Sequence, residues 1–411
     1  MKNALLILTL FSTLLIAQNA SVYTRYALGD YAPYFSAKNV VLGDASALAD
    51  NEHVGSSNPA AWSAVNLTRV EGGFMLTQSL QEEGNLSAKH FGAKFLGIRF
   101  AVPFQRDYGV VFALFLEPVT VIDYDVQKRY INEQFDNYNL HYKGNGGISK
   151  IGFGLTYRFP FGLAIGSTFD YYSGNSYYSS TIDFNDFSQY KDATFKLNQA
   201  YRGLGFTPGI ITNDFAELFD LGKISSLTFS ASVRFIARVH IDTAMTIHSK
   251  YDEITTPGSS YIAEIPNTYT FGMKLELNKT VMFLADYSLA KWSEFQKDAV
   301  REANVNDRFK FTLGIEYLDK LHKQRTFWQK VPLRLGFSYE KLQYTVEGKN
   351  IYALVGSFGF GLPMNEADRV DFAVSFGKRG PTDGTLVQEK FVSFGVSLSF
   401  GEQWFVRRGY K

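Results

Sequence analysis

The sequence predicts an all-β chain: a transmembrane antiparallel β-barrel of about 14 strands with an N-terminal plug segment in its lumen. Three observations carry this. First, whole segments alternate with period two. Val370, Phe372, Val374 and Phe376 are interleaved with Asp371, Ala373 and Ser375, and Val392, Phe394, Val396, Leu398 and Phe400 with Ser393, Gly395, Ser397 and Ser399. Successive side chains of a strand point to opposite faces, so each such strand has one greasy face and one small or polar face. Second, the chain opens like an exported protein. Third, the connections alternate between short and long, the habit of outer-membrane barrels.

Alternation alone fits two structures. A soluble sandwich turns the greasy face into a core, and a membrane barrel turns it to lipid. Export favours the barrel. Met1-Lys2-Asn3 is a short basic start, Ala4 to Ile16 is largely apolar, and Ala17 and Ala20 supply small residues for cleavage, so residues 1–20 read as a signal peptide. Beyond residue 20 no apolar run approaches the roughly 18 residues of a spanning helix. A chain that then enters a membrane does so as a closed barrel, because only helices and barrels satisfy every backbone polar group in lipid.

Composition agrees. Of 411 residues 16% are aromatic, with 37 Phe, 25 Tyr and 35 Gly against 11 Pro, which suits strands and tight turns. A net charge of +1 leaves no electrostatic footprint for nucleic acid, and the lack of cysteine excludes disulfides and thiolate metal sites.

The alternating segments run near 68–80, 87–103, 108–127, 147–159, 161–173, 200–212, 226–250, 267–277, 280–292, 309–319, 330–343, 350–362, 368–379 and 389–401. In 309–317 Phe309, Phe311, Leu313, Ile315 and Tyr317 oppose Lys310, Thr312, Gly314 and Glu316. In 331–340 Val331, Leu333, Leu335, Phe337 and Tyr339 oppose Arg334, Gly336, Ser338 and Glu340. The polar faces carry both signs of charge, which suits a wet or salt-bridged lumen. Short gaps fall at Gln105–Asp107, Pro160, Asn278–Lys279 and Pro363–Asp368; long ones at Lys128–Gly146, Ser173–Gln199, Tyr251–Tyr261 and Ser293–Arg308. The gaps Asn213–Ser225 and Lys320–Gln329 break that rule, and the first reads as a short amphipathic helix through Phe215, Leu218, Phe219 and Leu221. Residues 67–405 are thus assigned to the barrel and the basic residues 406–411 to a C-terminal tail.

Residues 21–66 lack alternation. Gly43-Asp44-Ala45-Ser46-Ala47 and Ser57-Asn58-Pro59-Ala60-Ala61-Trp62 offer small residues and an Asn-Pro turn, as a compact plug (hatch) would. A signal peptide, a plug carrying the motif Asn58, Pro59 and Ala60, and about 14 strands resemble the FadL-type outer-membrane transporters of long-chain fatty acids and aromatic hydrocarbons. Related fourteen-strand proteins that serve protein secretion share the motif. The resemblance implies a bacterial outer-membrane location and passive transport of hydrophobic small molecules. It also implies that extracellular loops capture the ligand, which leaves through a lateral opening in the wall at a kink in the third strand.

Pro118 lies inside the third predicted strand, where a missing N–H marks a bulge or an opening, and is the candidate lateral opening; a plain bulge is the other reading, and Pro208 poses the same choice. Tyr177, Tyr178, Phe184, Phe187 and Tyr190 form the candidate hydrophobic capture loop, or alternatively an interfacial aromatic girdle. The six histidines make no His-Glu-x-x-His motif, and no Gly-x-Ser-x-Gly elbow or phosphate loop occurs. An enzyme, a cofactor and a metal are therefore not expected; the partners expected are outer-membrane lipid and a hydrophobic ligand. The alternative function is a secretion-associated scaffold or accessory barrel that binds protein partners.

Overall fold

A computed structural model of the chain describes residues 21–32, 35–55, 57–131, 137–184, 191–249, 252–298, 300–301, 304–319, 326–381 and 386–404. Fourteen antiparallel strands close into one barrel. They are β1 Thr68–Glu83, β2 Leu86–Gln105, β3 Val110–Tyr130, β4 Tyr138–Arg158, β5 Ala164–Phe184 and β6 Ala193–Ile211. β7 runs Ile224–Ile236 and continues as Val239–Ser249, and β8 runs Glu253–Glu264 and continues as Thr268–Leu277. β9 Val281–Ala290, β10 Arg308–Tyr317, β11 Leu333–Val346, β12 Lys349–Pro363, β13 Arg369–Arg379 and β14 Gln388–Glu402 complete the wall. β14 returns to β1 in register from Gln388↔Glu82 to Glu402↔Thr68, which leaves the sheet without terminal edges.

The period-two pattern sorts the side chains as expected. Phe376, Val392, Phe394 and Phe400 are exposed on the outer face, while Asp371, Ser375, Ser393 and Ser397 are buried inside. Phe104, Phe161 and Trp404 stand exposed near the ends of the apolar band, the girdle position. The gap after β6 holds the helix α2, Phe215–Phe219, capped by the Asp214 side chain.

The wall differs from the sequence reading on one side. The long gaps foreseen around 128–146, 173–199 and 251–261 are mostly strand. β3 and β4 stay paired to Tyr130↔Tyr138, and β5 and β6 to Ile182↔Ala193. The outward positions of these upper halves are polar, as at Lys143, Ser179 and Lys196, so the apolar outer row marks only the part that meets lipid. The backbone ladder continues past it.

Candidate functional site: the plug and the fork in the wall

The plug follows from local chemistry. Ser36 caps the helix α1, Ala37–Leu42, with its side chain accepting from the Asn39 amide, and Gly43 at φ 80° ends it. All six helical residues are buried. The helix lies on a glycine floor: a Cβ on Gly336 would overlap the Val41 carbonyl, and one on Gly314 would sit 2.9 Å from the Leu42 carbonyl oxygen. Val40 and Val41 pack with Met75, Leu96 and Ala373.

The Asn58-Pro59-Ala60 motif is a second anchor. Asn58 Oδ1 accepts from the Ala60 amide at 3.0 Å, starting the 3-10 helix Pro59–Ala64, with Pro59 in the first turn where no N–H is needed. Asn58 Nδ2 donates to the Ile210 carbonyl of β6 at 3.0 Å. Trp62 meets the ring of Phe115 edge-on at 5.9 Å.

Ion pairs fix the rest. Arg334 of β11 binds Glu316 of β10 at 2.7 Å and also Asp371 of β13. His53 of the plug sits 3.2 Å from Glu71 of β1 and 3.5 Å from Asp371. Lys38 pairs with Asp50 inside the plug and stands 4.0 Å from Glu316. Arg99 of β2 holds the Val54 carbonyl at 2.6 Å and Glu117 of β3 at 2.6 Å, and Lys150 of β4 holds Glu117 at 2.9 Å. Arg379 pairs with Asp30 of the plug. The sequence placed Arg334, Glu316 and Asp371 on the polar face. It gave no partners, because partners one and two strands away are set by register and not by spacing.

The wall forks between β2 and β3. Their ladder runs from Gln105↔Val110 only to Ile98↔Leu116, whereas β1 pairs β2 up to Glu83↔Leu86 and β3 pairs β4 up to Tyr130↔Tyr138. Each strand carries a register shift at this level: β2 against β1 between Gly73 and Phe74, and β3 against β4 between Pro118 and Thr120. Gly97 takes φ 132°, and a Cβ there would lie 2.9 Å from the Phe35 ring and 3.0 Å from the Leu116 carbonyl. Bulges bend and twist a strand, and two at one height splay the pair. Pro118 lies on the fork and lines a cavity of about 80 Å³ with Phe35, Leu96, Arg99, Glu117 and Lys150.

The plug covers the β3 side of the fork. Its strand Asp30–Tyr31 pairs with Val121 and Thr120, and the amides of Ala32 and Ser21 donate to Val119 and Asp123 at 2.9 and 2.8 Å. Sequence reading found Pro118 but missed Gly97. Its signal was a phase slip: Phe95 and Ile98 are both exposed on the outer face although they are three residues apart.

The capture residues are not gathered in a loop. Tyr177, Tyr178 and Phe184 belong to β5, with Tyr177 exposed on the outer face and its neighbour Tyr178 half-buried on the luminal one. Phe187 and Tyr190 lie outside the described residues. Phe184 instead joins Tyr138, 5.7 Å away, and Tyr138 stacks on Tyr130 at 5.2 Å, near the tips of two hairpins. Pro208 sits in β6 opposite Ser167, where the ladder to β7 skips from Phe206↔Phe235 to Gly209↔Ser232.

Beside the plug lies a cavity of about 200 Å³. Its lining includes Tyr31, Asp44, Arg234, Arg308, Lys310 and Glu340. Arg308 pairs with Glu340 at 2.7 Å and lies over the Tyr31 ring at 4.4 Å.

The family described as BamG matches residues 1–411. The chain belongs to the BamG family. No curated protein matches the sequence significantly. Solved structures match across the barrel. A FadL homologue of Pseudomonas aeruginosa is 10% identical over 91% of this chain and 99% of its own, with a TM-score of 0.62. The toluene transporter TodX of Pseudomonas putida is 15% identical over 91% and 100%, with a TM-score of 0.57. The CymD monoaromatic hydrocarbon channel is 13% identical over 85% and 92%, with a TM-score of 0.51. The FadL-type resemblance therefore holds as a shared fold, in a chain whose sequence family is BamG.

Proposed function

We propose that this BamG-family barrel resides in the bacterial outer membrane and passively passes hydrophobic small molecules, fatty acids or hydrocarbons, with release through the wall at the fork. The observation that carries this reading is the β2–β3 ladder ending at Ile98↔Leu116 while the plug's own strand lies on the exposed edge of β3. On this reading an opening at that height joins the cavity at Pro118 to the outer face, and movement of residues 21–32 along β3 widens or closes it. Tyr130, Tyr138 and Phe184 near the hairpin tips supply aromatic surface for first contact. The solved relatives whose names specify toluene or monoaromatic hydrocarbons support this class of cargo.

The test is uptake of labelled fatty acid or toluene into proteoliposomes. Gly97→Val with Pro118→Val restores side-chain bulk and a ladder donor at the fork, and uptake is expected to drop about tenfold, a barrier change of about 1.4 kcal/mol. Undiminished uptake by a folded double variant rules out the fork as the exit.

A second reading is an accessory barrel that binds protein partners. One observation favours it: the plug is held by buried charge, and the space beside it is lined by Asp44, Arg234, Arg308, Lys310 and Glu340, a poor surface for a hydrocarbon. Stoichiometric co-purification with a protein complex, without uptake in liposomes, selects this reading.

A further inference from the structure

The helix α2 lies on the outside of the wall. Its Phe215 ring meets the Phe229 ring of β7 edge-on at 5.8 Å and stacks on Phe219 at 6.0 Å. Phe229 is exposed on the outer face, between the buried luminal residues Thr228 and Ser230. Leu218 and Phe219 are 59% and 64% exposed, and Leu221 just after them is exposed too. The segment is not needed to turn the chain: on the same rim β8 joins β9 through residues 278–280 alone. Nor does it hang free of the wall. Asp214 Oδ1 accepts from the amides of Ala216 and Leu227 at 3.0 and 2.8 Å, and the Asn278 amide donates to the Lys223 carbonyl at 3.0 Å. An exposed apolar surface is thus held at one height on the barrel.

Its surroundings point to the occupant. A Cβ on Gly162 would lie 3.2 Å from the Asn213 Cβ, so the segment abuts the β4–β5 turn. There the exposed Phe161 stacks on Phe159 at 5.3 Å, and Phe159 meets Tyr157 at 4.9 Å. The apolar side of α2 therefore continues both the outward row of β7 and an aromatic girdle, which marks the membrane boundary. Glu217 and Asp220, both exposed, interleave with Leu218, Phe219 and Leu221. Interleaved charge suits a segment lying between water and acyl chains, whereas the core of a protein interface is depleted of charge. Outer-membrane barrels turn their short connections to the periplasm. We infer, on the membrane location proposed above, that α2 is an interfacial foot that seats Leu218, Phe219 and Leu221 among the acyl chains of the periplasmic phospholipid leaflet.

Spin-label accessibility in lipid vesicles tests it. The chain has no cysteine, so one introduced thiol carries one label. The full-length barrel, as Leu218→Cys or Phe219→Cys, is labelled and placed in vesicles of phosphatidylethanolamine and phosphatidylglycerol. Leu313→Cys, outward on β10, is the lipid reference, and Glu366→Cys, exposed in the turn between β12 and β13, is the water reference. Oxygen concentrates among acyl chains, and a nickel chelate stays in water. The oxygen-to-nickel collision ratio at positions 218 and 219 is expected to be several-fold above that at 366, shifted towards that at 313. Ratios at 218 and 219 equal to that at 366, with 313 in lipid, overturn the foot, leave the membrane location standing, and assign the patch to water or to a protein partner. A water-like ratio at 313 as well overturns both. Heat-modifiability on gels confirms that each variant is folded.

Discussion

The Asn58 side chain occupies the space that a Cβ on Gly209 would fill, since a methyl group there would overlap Oδ1. The plug motif is thus complementary to a particular wall glycine, and Gly166 on β5 does the same beside Ala60, where a Cβ would lie 2.6 Å from the amide nitrogen. Gly209→Ala is expected to push Asn58 off the Ile210 carbonyl and to cost about 1–3 kcal/mol, the usual range for overpacking. A lowered melting temperature together with faster proteolysis within residues 57–64 is the expected result. Stability and proteolysis equal to wild type would show that the motif is not seated this way.

Arg334 is 2% exposed and serves two carboxylates on different strands. Removing it leaves Glu316 and Asp371 buried without that cation. Arg334→Met should destabilise the barrel by about 3–5 kcal/mol, the cost of breaking a buried pair from one side. Adding Glu316→Gln and Asp371→Asn should recover at least half, because most of the loss is stranded charge and not lost attraction. Urea unfolding in lipid vesicles, followed by tryptophan fluorescence, measures both. A triple variant as unstable as the single one would assign the loss to packing of the guanidinium stem.

Phe394 faces outward from β14, 43% exposed, paired with Leu76 and Val374. Phe394→Arg is expected to cost about 2–4 kcal/mol if the site lies at the bilayer midplane. Phe394→Leu should cost under about 1.5 kcal/mol. In the same vesicle assay, an arginine tolerated as well as leucine would mean that this face of β13 and β14 does not meet lipid.

The β13 and β14 faces were readable in advance because a strand buried in lipid on one side must alternate Val370, Phe372 and Val374 with small or polar residues. The same rule fails where nothing apolar is required. Tyr142, Ser180 and Thr194 lie on strands that extend beyond the apolar band, and their polar-on-polar sequence looks like loop. The site was legible only in part. Pro118 and Asn58 announce themselves through backbone chemistry that proline and asparagine impose locally. His53 meeting Glu71 and Asp371, or Asp30 meeting Arg379, depends on how the plug lies across several strands, which no local spacing encodes. The single aromatic loop was not legible either: Tyr177 and Tyr178 are adjacent on β5, so they face opposite sides of the wall.

Asp50 makes the plug sensitive to acid. Burial alone raises its pKa, but the Lys38 ammonium outweighs that. Together with His53 and hydrogen bonds from Lys38 and the Glu52 amide, it holds Asp50 well below the usual carboxylate range. A carboxylate depressed in the folded protein contributes stability that is fully present above its ordinary pKa. That contribution fades as pH falls below the ordinary value towards the folded one. The plug should therefore stay equally docked from about pH 5 to 8 and loosen as pH drops below about 4, the model-peptide value for aspartate. Lys38→Met removes the ammonium that depresses Asp50, so the plug should already be looser at pH 7 and should lose less on acidification. Hydrogen exchange of residues 37–55, corrected for the intrinsic pH dependence of exchange, reads this directly. If wild type and Lys38→Met lose protection in parallel as pH falls, the acid response belongs to other carboxylates of the lumen and not to the Lys38–Asp50 pair.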